Sequence, residues 1–483
     1  MNSFFKYTAP ALALLGLSLG GCKPDLEDSP KSSNGQADFS RYIAVGNSLT
    51  AGYGDNGLYL EGQLNSYPSI LAQQFAKVGG GPFAQPLFPA ANANGSGYLT
   101  LGGFNSAGSP ILVPVPGNAG SAGSPLLTRY TAPDNQNLGV SGIRVADVTT
   151  ADYGRLTSSS NAGNFNPFFE RLLSGAASTT YLDYVKERVA TIRPTFFTNW
   201  LGNNDVLGYA TSGGTGAPLT GDAEFTTKYT VVTDALTANG ASGLLATIPN
   251  VVNVPYFTTV PTAGIIAQIS AAPVPDATKT QLTVGLQLTP AQAATIRFGL
   301  FVQALNAAGT ATVTREATAA DFLLLPASSV INTPSTTTNP TPRGLGIVIS
   351  GLNAAQTVGL AAAAPPNPLP SSLVLDAVEA GLVQTRTTAL NAIIANVAQQ
   401  KGLALFDANT FFNGVARTGI IVNGVSNTAA FISGNLFSLD GVHPTPRGYA
   451  VVANEMIRAI NAKYGSTVPG VDPTTYRGVK FPK

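Results

Sequence analysis

Tyr42-Ile-Ala-Val-Gly-Asn-Ser-Leu-Thr-Ala-Gly-Tyr53 is the stretch that decides the fold. It opens with a short apolar run, typical of a buried strand, which ends at Gly46. A helix is predicted soon after it, over residues 67–76. A strand followed by a helix is the unit from which α/β proteins are built.

The same alternation continues along the chain. Further strands are predicted at 138–141, 195–201, 244–248 and 403–407, with helices at 181–191 and 382–400. Strands separated by helices indicate a parallel sheet covered on both faces. Such sheets build their sites at the carboxyl ends of their strands, and Ser48 follows the first strand directly.

Two stretches interrupt this pattern. Residues 89–135 are rich in Gly, Ser, Ala, Asn and Pro, which predicts a long loop over the strand ends. Residues 258–372 form an insert between the fourth and fifth strands, with a capped helix beginning at Thr289. The insert is either a lid or subdomain over the site, or a structural elaboration away from it.

Composition excludes several classes of function. The 483 residues carry a net charge of +1, and no cluster of Lys and Arg is interleaved with aromatic residues. Nucleic acid is therefore not expected as a partner. One histidine and one cysteine cannot supply the ligands of a zinc or iron site. We expect neither a metal nor a cofactor.

The only cysteine, Cys22, follows an apolar run in residues 1–21 that has the pattern of a signal peptide. Leu19-Gly-Gly-Cys22 resembles the bacterial lipobox, in which the cysteine becomes the lipidated first residue. Residues 22–38 are predicted to be a flexible tether. These features predict a lipid-anchored protein of the cell envelope, with the outer membrane as the expected site. The alternative is an ordinary cleaved signal with a chance cysteine.

The only histidine, His443, lies three residues after Asp440 and just before a helix capped by Thr445. Histidine can take and return a proton at neutral pH, so a hydroxyl nucleophile usually recruits one. The pair formed by Ser48 and His443 therefore predicts a serine hydrolase, with His443 as its base.

Four stretches together resemble the sequence blocks of the SGNH (GDSL) hydrolase family. They are Gly46–Tyr53, Asn137–Gly142, Leu201–Asp205 and Asp440–Pro444, in the family's order. Each of these short motifs alone arises often by chance, whereas all four in this order are specific for the family. They frame a domain over residues 39–465, which leaves 466–483 as a tail. With the lipobox, the chain resembles SGNH hydrolase lipoproteins of Gram-negative bacteria, of the Bacteroidetes type.

This resemblance implies a flavodoxin-like three-layer α/β/α fold, with a five-stranded, mainly parallel sheet and a large insert. It implies an esterase or lipase in which Ser48 attacks, His443 is the base and Asp440 orients the histidine. It also implies an oxyanion hole formed by the backbone amides of Ser48 and Gly142 and the side-chain amide of Asn204. The substrate would be an ester, of an acyl lipid or an acetylated glycan.

One position departs from the family, which often has Asp where this chain has Asn47. Taken singly, the site residues also have ordinary roles as turn or cap residues. Two alternative functions use the same framework. One is an O-acetyl-polysaccharide deacetylase, and the other is a non-catalytic lipoprotein that binds glycan or lipid.

Overall fold

The computed structural model describes residues 32–106, 108–120, 126–156, 164–174, 178–336 and 339–482. The predicted signal peptide, Cys22 and the first part of the tether lie outside these residues. The strands are β1 (Tyr42–Gly46), β2 (Gly97–Phe104), β3 (Pro110–Pro116), β4 (Phe196–Trp200), β5 (Ser242–Ala246), β6 (Arg297–Leu305), β7 (Thr312–Glu316), β8 (Phe322–Leu323), β9 (Pro334–Thr336), β10 (Asn339–Pro342), β11 (Leu345–Val348), β12 (Val374–Leu375), β13 (Ala404–Phe406), β14 (Ile420–Val422) and β15 (Val425–Asn427).

Helices alternate with these strands. They are α1 (Ser48–Ala51), α2 (Leu60–Leu64), α3 (Tyr67–Ala76), α4 (Pro167–Glu170), α5 (Tyr181–Ile192), α6 (Asn204–Thr211), α7 (Asp222–Thr237), α8 (Pro255–Thr258), α9 (Thr262–Ala271), α10 (Asp276–Gly285), α11 (Pro290–Ala293), α12 (Ala354–Ala363), α13 (Ala377–Gln400), α14 (Ala408–Thr418) and α15 (Pro446–Tyr464). No helix in the described part of the chain is long and apolar enough to cross a membrane.

A four-stranded parallel sheet in the order β1-β4-β5-β13 forms the centre of the molecule. Its residues alternate between two buried clusters, as the pleat of a strand requires. Ile43 and Val45 pack with α5, α7 and α13 on one face, whereas Tyr42 and Ala44 pack with α3 and α15 on the other. The predicted α/β class, with helices on both faces, is confirmed.

The predicted strand at 138–141 is not a regular strand. The segment runs beside β1, where Ala44 forms an isolated parallel bridge with Asn137. The amide of Leu138 donates to the Ala44 carbonyl at 2.8 Å, and that of Val140 donates to the Gly46 carbonyl at 3.0 Å. Regular pairing ends because the chain turns away directly afterwards. The central sheet therefore has four strands in the described residues, where five were expected.

The insert contains both helices and strands and has its own apolar clusters. Strands β11, β6 and β7 form an antiparallel sheet, and β12 pairs with β8. Leu300, Val302 and Leu369 are buried inside it. The predicted cap is present, since the Thr289 hydroxyl accepts from the Gln292 amide at 3.2 Å and the Gln292 side chain accepts in return.

Three regions have more structure than the sequence predicted. Within residues 89–135, β2 and β3 form an antiparallel hairpin where only a loop was expected. At the other boundary, the Gln36 amide donates to the Tyr464 carbonyl at 2.8 Å and Ala37 is buried, so the domain begins before residue 39. Part of the predicted tail also packs, because Val468 and Lys480 are buried.

Candidate active site

Ser48 is the first residue of α1, directly after the carboxyl end of β1. The side chain of Asn47, fully buried, caps this helix by accepting from the Leu49 amide at 3.0 Å. This contact uses an amide oxygen, so Asn47 supplies the cap that an aspartate would supply. Gly46 permits the tight turn, because a Cβ there would lie 2.0 Å from the Thr50 hydroxyl oxygen. The turn places Ser48 at the edge of the sheet where the strands have their carboxyl ends.

His443 lies on the loop that enters α15. The loop turns between Ser438 and Gly441, where the Gly441 amide donates to the Ser438 carbonyl at 2.9 Å. Gly441 has φ 73°, a conformation that favours glycine. Thr445 then caps α15 by accepting from the Gly448 amide at 3.1 Å. The loop is thus fixed at both ends.

A chain of hydrogen bonds joins the three predicted catalytic side chains. His443 Nε2 lies 2.9 Å from Ser48 Oγ, and His443 Nδ1 lies 2.9 Å from Asp440 Oδ2. Asp440 Oδ1 accepts from the amides of Val442 and His443, both at 2.8 Å, and Asp440 Oδ2 also accepts from the Asn56 amide at 3.0 Å. The arrangement is that of a nucleophile, a base and an orienting acid.

Asp440 is held as a carboxylate. Burial by itself raises the pKa of this carboxyl, but attraction to His443 and the hydrogen bonds from neighbouring amides outweigh burial and lower the pKa to about 2. A permanent negative charge beside Nδ1 favours the tautomer in which Nδ1 carries the proton, so that Nε2 faces Ser48 with its lone pair.

The buried side chain of Asp55 supports the loop that carries Asp440 and His443. Its amide donates to Ser438 Oγ at 2.9 Å, and its Oδ1 accepts from the Leu439 amide at 3.1 Å. Its Oδ2 accepts from the Tyr59 hydroxyl at 2.7 Å and from Arg477 at 3.3 Å. Burial raises the pKa of Asp55, against the lowering effect of Arg477 and the hydrogen bonds. Residues near the end of the chain therefore support the position of the histidine loop.

Gly142 occupies the third position of a tight turn. The Ile143 amide donates to the Val140 carbonyl at 3.3 Å, and Gly142 has φ 86°, as a type II turn requires at this position. The central carbonyl of the turn, that of Ser141, accepts from Asn166 Nδ2 at 2.8 Å. Because a trans peptide directs its C=O and N–H in opposite directions, this bond turns the Gly142 amide away from Asn166.

Asn166 has a second role at the start of α4. Its Oδ1 accepts from the amides of Phe168 at 2.9 Å and Phe169 at 3.0 Å, which caps that helix. Its Nδ2 donates to the Tyr153 hydroxyl at 3.0 Å as well as to Ser141. The side chain is thus fully used and fixed in one orientation.

Asn204 begins α6, and its Nδ2 donates to the Ile143 carbonyl at 2.9 Å. An amide nitrogen carries two N–H groups, so this bond orients the other one. The next residue, Asp205, accepts from the amides of Val145 at 2.8 Å and Ala146 at 3.2 Å. Burial raises the pKa of Asp205 to about 6, against these hydrogen bonds and that from Thr220. Asp205 therefore ties the Gly142 turn to α6.

All five predicted site residues line one cavity of about 530 Å³: Ser48, Gly142, Asn204, Asp440 and His443. Sequence reasoning missed other parts of its wall, which are Tyr53, Asn166, Phe168 and Tyr256. The Tyr53 ring lies 4.7 Å from the His443 ring, centre to centre. Tyr53 stands inside the first block and could have been noticed, whereas Asn166 carries no local signal. No described residue of the insert 258–372 lines this cavity.

The insert and the segment just before it contact the loop that carries Asp440. The Tyr256 amide, just before the insert, donates to the Gly441 carbonyl at 2.9 Å. A Cβ at Gly441 would lie 3.2 Å from a methyl carbon of Leu325, which belongs to the insert. The insert therefore packs behind the turn that carries Asp440.

No protein-family model matches this chain, and no curated protein is significantly similar to it.

Proposed function

We propose that this protein is a serine hydrolase of the SGNH type that cleaves carboxylic esters. The observation that carries the proposal is the hydrogen-bonded chain from Ser48 through His443 to Asp440, with both links at 2.9 Å. A serine and the only histidine of the chain, 395 positions apart, meet in a cavity where an acid orients the imidazole.

The proposed reaction has two halves. Ser48 attacks the ester carbonyl while His443 Nε2 accepts its proton, and the imidazolium then protonates the departing alcohol. Water, activated by the same histidine, hydrolyses the acyl-enzyme and releases the acid. Asp440 stabilises the imidazolium that forms in each half and itself stays ionised.

The oxyanion hole would consist of the backbone amides of Ser48 and Gly142 and the side-chain amide of Asn204. Such neutral donors stabilise the charge that develops on the carbonyl oxygen. The orientation of the Ser141–Gly142 peptide and the bond from Asn204 to Ile143 support this assignment, because both leave an N–H free to face the cavity.

The finer SGNH architecture is part of the same proposal. The extended segment 136–140 runs along the free side of β1 and would correspond to the family's additional strand. The lipid anchor at Cys22 and a place in the cell envelope, with the outer membrane as the expected site, are proposed from the sequence of residues 19–22.

The test uses the protein without residues 1–22 and the variant Ser48→Ala, which removes one hydroxyl. We expect the wild type to hydrolyse p-nitrophenyl esters and to be labelled by a fluorophosphonate at Ser48, and the variant to do neither while keeping its melting temperature. Equal hydrolysis by both proteins, or labelling at another residue, would refute the proposal. A wild type with neither activity nor label would favour the non-catalytic binding protein.

A further inference from the structure

A second cavity, of about 750 Å³, adjoins the catalytic one. Four residues line both cavities: Gly142, Asn204, Leu207 and Thr211. Two of these, Gly142 and Asn204, are the proposed oxyanion donors. If the ester oxygen binds between them, the carbon attacked by Ser48 lies at the boundary between the cavities. The two substituents of an ester then have separate spaces to enter.

The walls of the two cavities differ in chemistry. Around Ser48 the catalytic cavity presents Tyr53, Phe168, Tyr256 and Val442, which suit an apolar group. The second cavity presents the charged side chains of Arg144, Asp147, Glu224 and Lys228 beside apolar ones such as Phe165. An aliphatic chain there would displace water from charged groups without replacing its hydrogen bonds, which is unfavourable.

The charges of the second cavity are balanced. Arg144 pairs with Asp147 at 2.6 Å, and Lys228 pairs with Glu224 at 2.7 Å. Both pairs keep part of their surface in contact with solvent. Two cations and two carboxylates offer donors and acceptors and together carry no net charge. An anionic group such as a phosphate would meet both carboxylates, whereas a hydroxyl can donate to a carboxylate and accept from a guanidinium.

We propose that the second cavity binds the alcohol part of the substrate, and that this alcohol is neutral and polyhydroxylated, as in an O-acylated sugar. The acyl group then occupies the apolar cavity beside Ser48. This inference rests on the proposed function, because it takes Gly142 and Asn204 as the point at which the ester carbonyl binds.

Gly208 offers a way to close the second cavity alone. It lines that cavity and not the catalytic one. It lies in the helix α6, and a Cβ there would meet only the Ala217 methyl, at 3.7 Å, an ordinary contact. A larger side chain at position 208 therefore has room at its base and extends into the space proposed for the alcohol. Gly208→Leu is the test variant, and Gly208→Ala is its matched control.

The assay compares two acetate esters by the release of acetic acid: methyl 6-O-acetyl-glucopyranoside, whose sugar keeps its other hydroxyls free, and ethyl acetate, whose alcohol is small. We expect Gly208→Leu to lower kcat/KM for the sugar ester at least tenfold and for ethyl acetate less than twofold. Gly208→Ala should resemble the wild type on both. Circular dichroism and melting temperature show whether the leucine variant is folded.

A second variant keeps the cavity open and changes one polar group. Glu224→Gln preserves size but replaces a carboxylate acceptor with a weaker one. We expect it to lower kcat/KM for the sugar ester several-fold without affecting ethyl acetate. This variant decides the question should Gly208→Leu fail to fold.

The outcomes separate the two proposals. If the ratio of kcat/KM for the sugar ester to kcat/KM for ethyl acetate is unchanged in both variants, the alcohol site is overturned while the proposed hydrolase activity stands. A wild type that prefers a lysophosphatidic acid to the sugar ester would also overturn it, because that alcohol is anionic. Absence of hydrolysis of every ester, together with absence of fluorophosphonate labelling at Ser48, would overturn the proposed function and this inference with it.

Discussion

Replacing Asn166 with serine is expected to slow ester hydrolysis without unfolding the protein. Asn166 Nδ2 holds the Ser141 carbonyl at 2.8 Å, and that carbonyl belongs to the same peptide as the Gly142 amide. Serine keeps an oxygen that can cap α4, but its side chain is too short to make both contacts. The central peptide of the turn would then be free to rotate, which would carry the Gly142 N–H out of the oxyanion hole.

The structure sets limits on the size of the effect. One hydrogen bond contributes about 1 kcal/mol net, so its loss should shift the peptide orientation by at least about fivefold. Complete loss of one oxyanion donor raises the barrier by about 2.7 to 4 kcal/mol, which is about 100 to 1000-fold in kcat. We therefore expect kcat for p-nitrophenyl acetate to fall by more than about twofold and by no more than about 1000-fold, with KM within about twofold of the wild type.

Two controls separate orientation of the peptide from general damage. Tyr153→Phe removes the other acceptor of Asn166 Nδ2, at 3.0 Å, and leaves the bond to Ser141 in place. Asn166→Ala removes the cap of α4 as well, so it should lower stability by about 1 kcal/mol more than serine does. An alkyl trifluoromethyl ketone, whose adduct carries an oxyanion, should bind to Asn166→Ser more weakly by the same factor as kcat/KM falls.

A change in kcat below twofold in Asn166→Ser would show that Asn166 does not orient the Ser141–Gly142 peptide. The same conclusion would follow if Tyr153→Phe lost as much activity, or if the ketone bound to the serine variant as tightly as to the wild type. In those cases Asn166 serves only to cap α4.

Four further changes test the lipid anchor, the base, Asp205 and the contact between Asp55 and Arg477. Cys22→Ser should abolish labelling by a fatty-acid analogue and release the protein from membranes, since several lipid chains anchor stably; equal labelling would contradict the anchor. Activity should fall on acidification through protonation of His443 alone, because the pKa of Asp440, about 2, keeps that carboxyl ionised. His443→Ala should remove this fall in activity at low pH together with nearly all activity. A fall that persists in the variant would point to another base. The pKa of Asp205 is about 6, above its unfolded value of about 3.9. Its ionisation should therefore lower the free energy of unfolding by roughly 2 kcal/mol between pH 4 and 7. In urea titrations Asp205→Asn should lack this contribution, and an equal dependence of stability on pH in both proteins would contradict it. Arg477→Ala leaves Asp55 buried without its cation and should cost on the order of 3 kcal/mol, measured by urea denaturation, with lower activity; unchanged stability would show that this contact is unimportant.

The central strands were predictable because each is a short apolar run bounded by turn residues. The runs at 42–45, 195–201, 244–248 and 403–407 all overlap strands of the sheet. The segment at 138–141 has similar residues, but whether it pairs regularly depends on the course of the chain beyond it. Gly142 turns the chain away from β1, and that is a property of the tertiary structure.

The hairpin of β2 and β3 was missed because its glycines and prolines are typical of loops. The pairing there is stabilised by contacts distant in sequence, such as the bond from the Leu101 amide to the Lys480 carbonyl at 2.8 Å. The same limit applies to the site. Ser48, Asp440 and His443 stand in recognisable motifs, whereas Asn166 acts through Ser141, 25 positions earlier, in a contact that only the folded chain creates.

The contact between Asp55 and Arg477 joins an early segment of the chain to a late one, so it forms only after most of the chain has been synthesised. Synthesis delivers Ser48 first and His443 395 positions later, and Arg477 follows after that. Under the proposed function, the nascent polypeptide carries a serine without a base throughout that interval and cannot yet hydrolyse an ester. On the same proposal, the first turnover by a pulse-labelled chain would mark the moment at which Asp440 and His443 have joined Ser48, and the contact between Asp55 and Arg477 would then stabilise that arrangement.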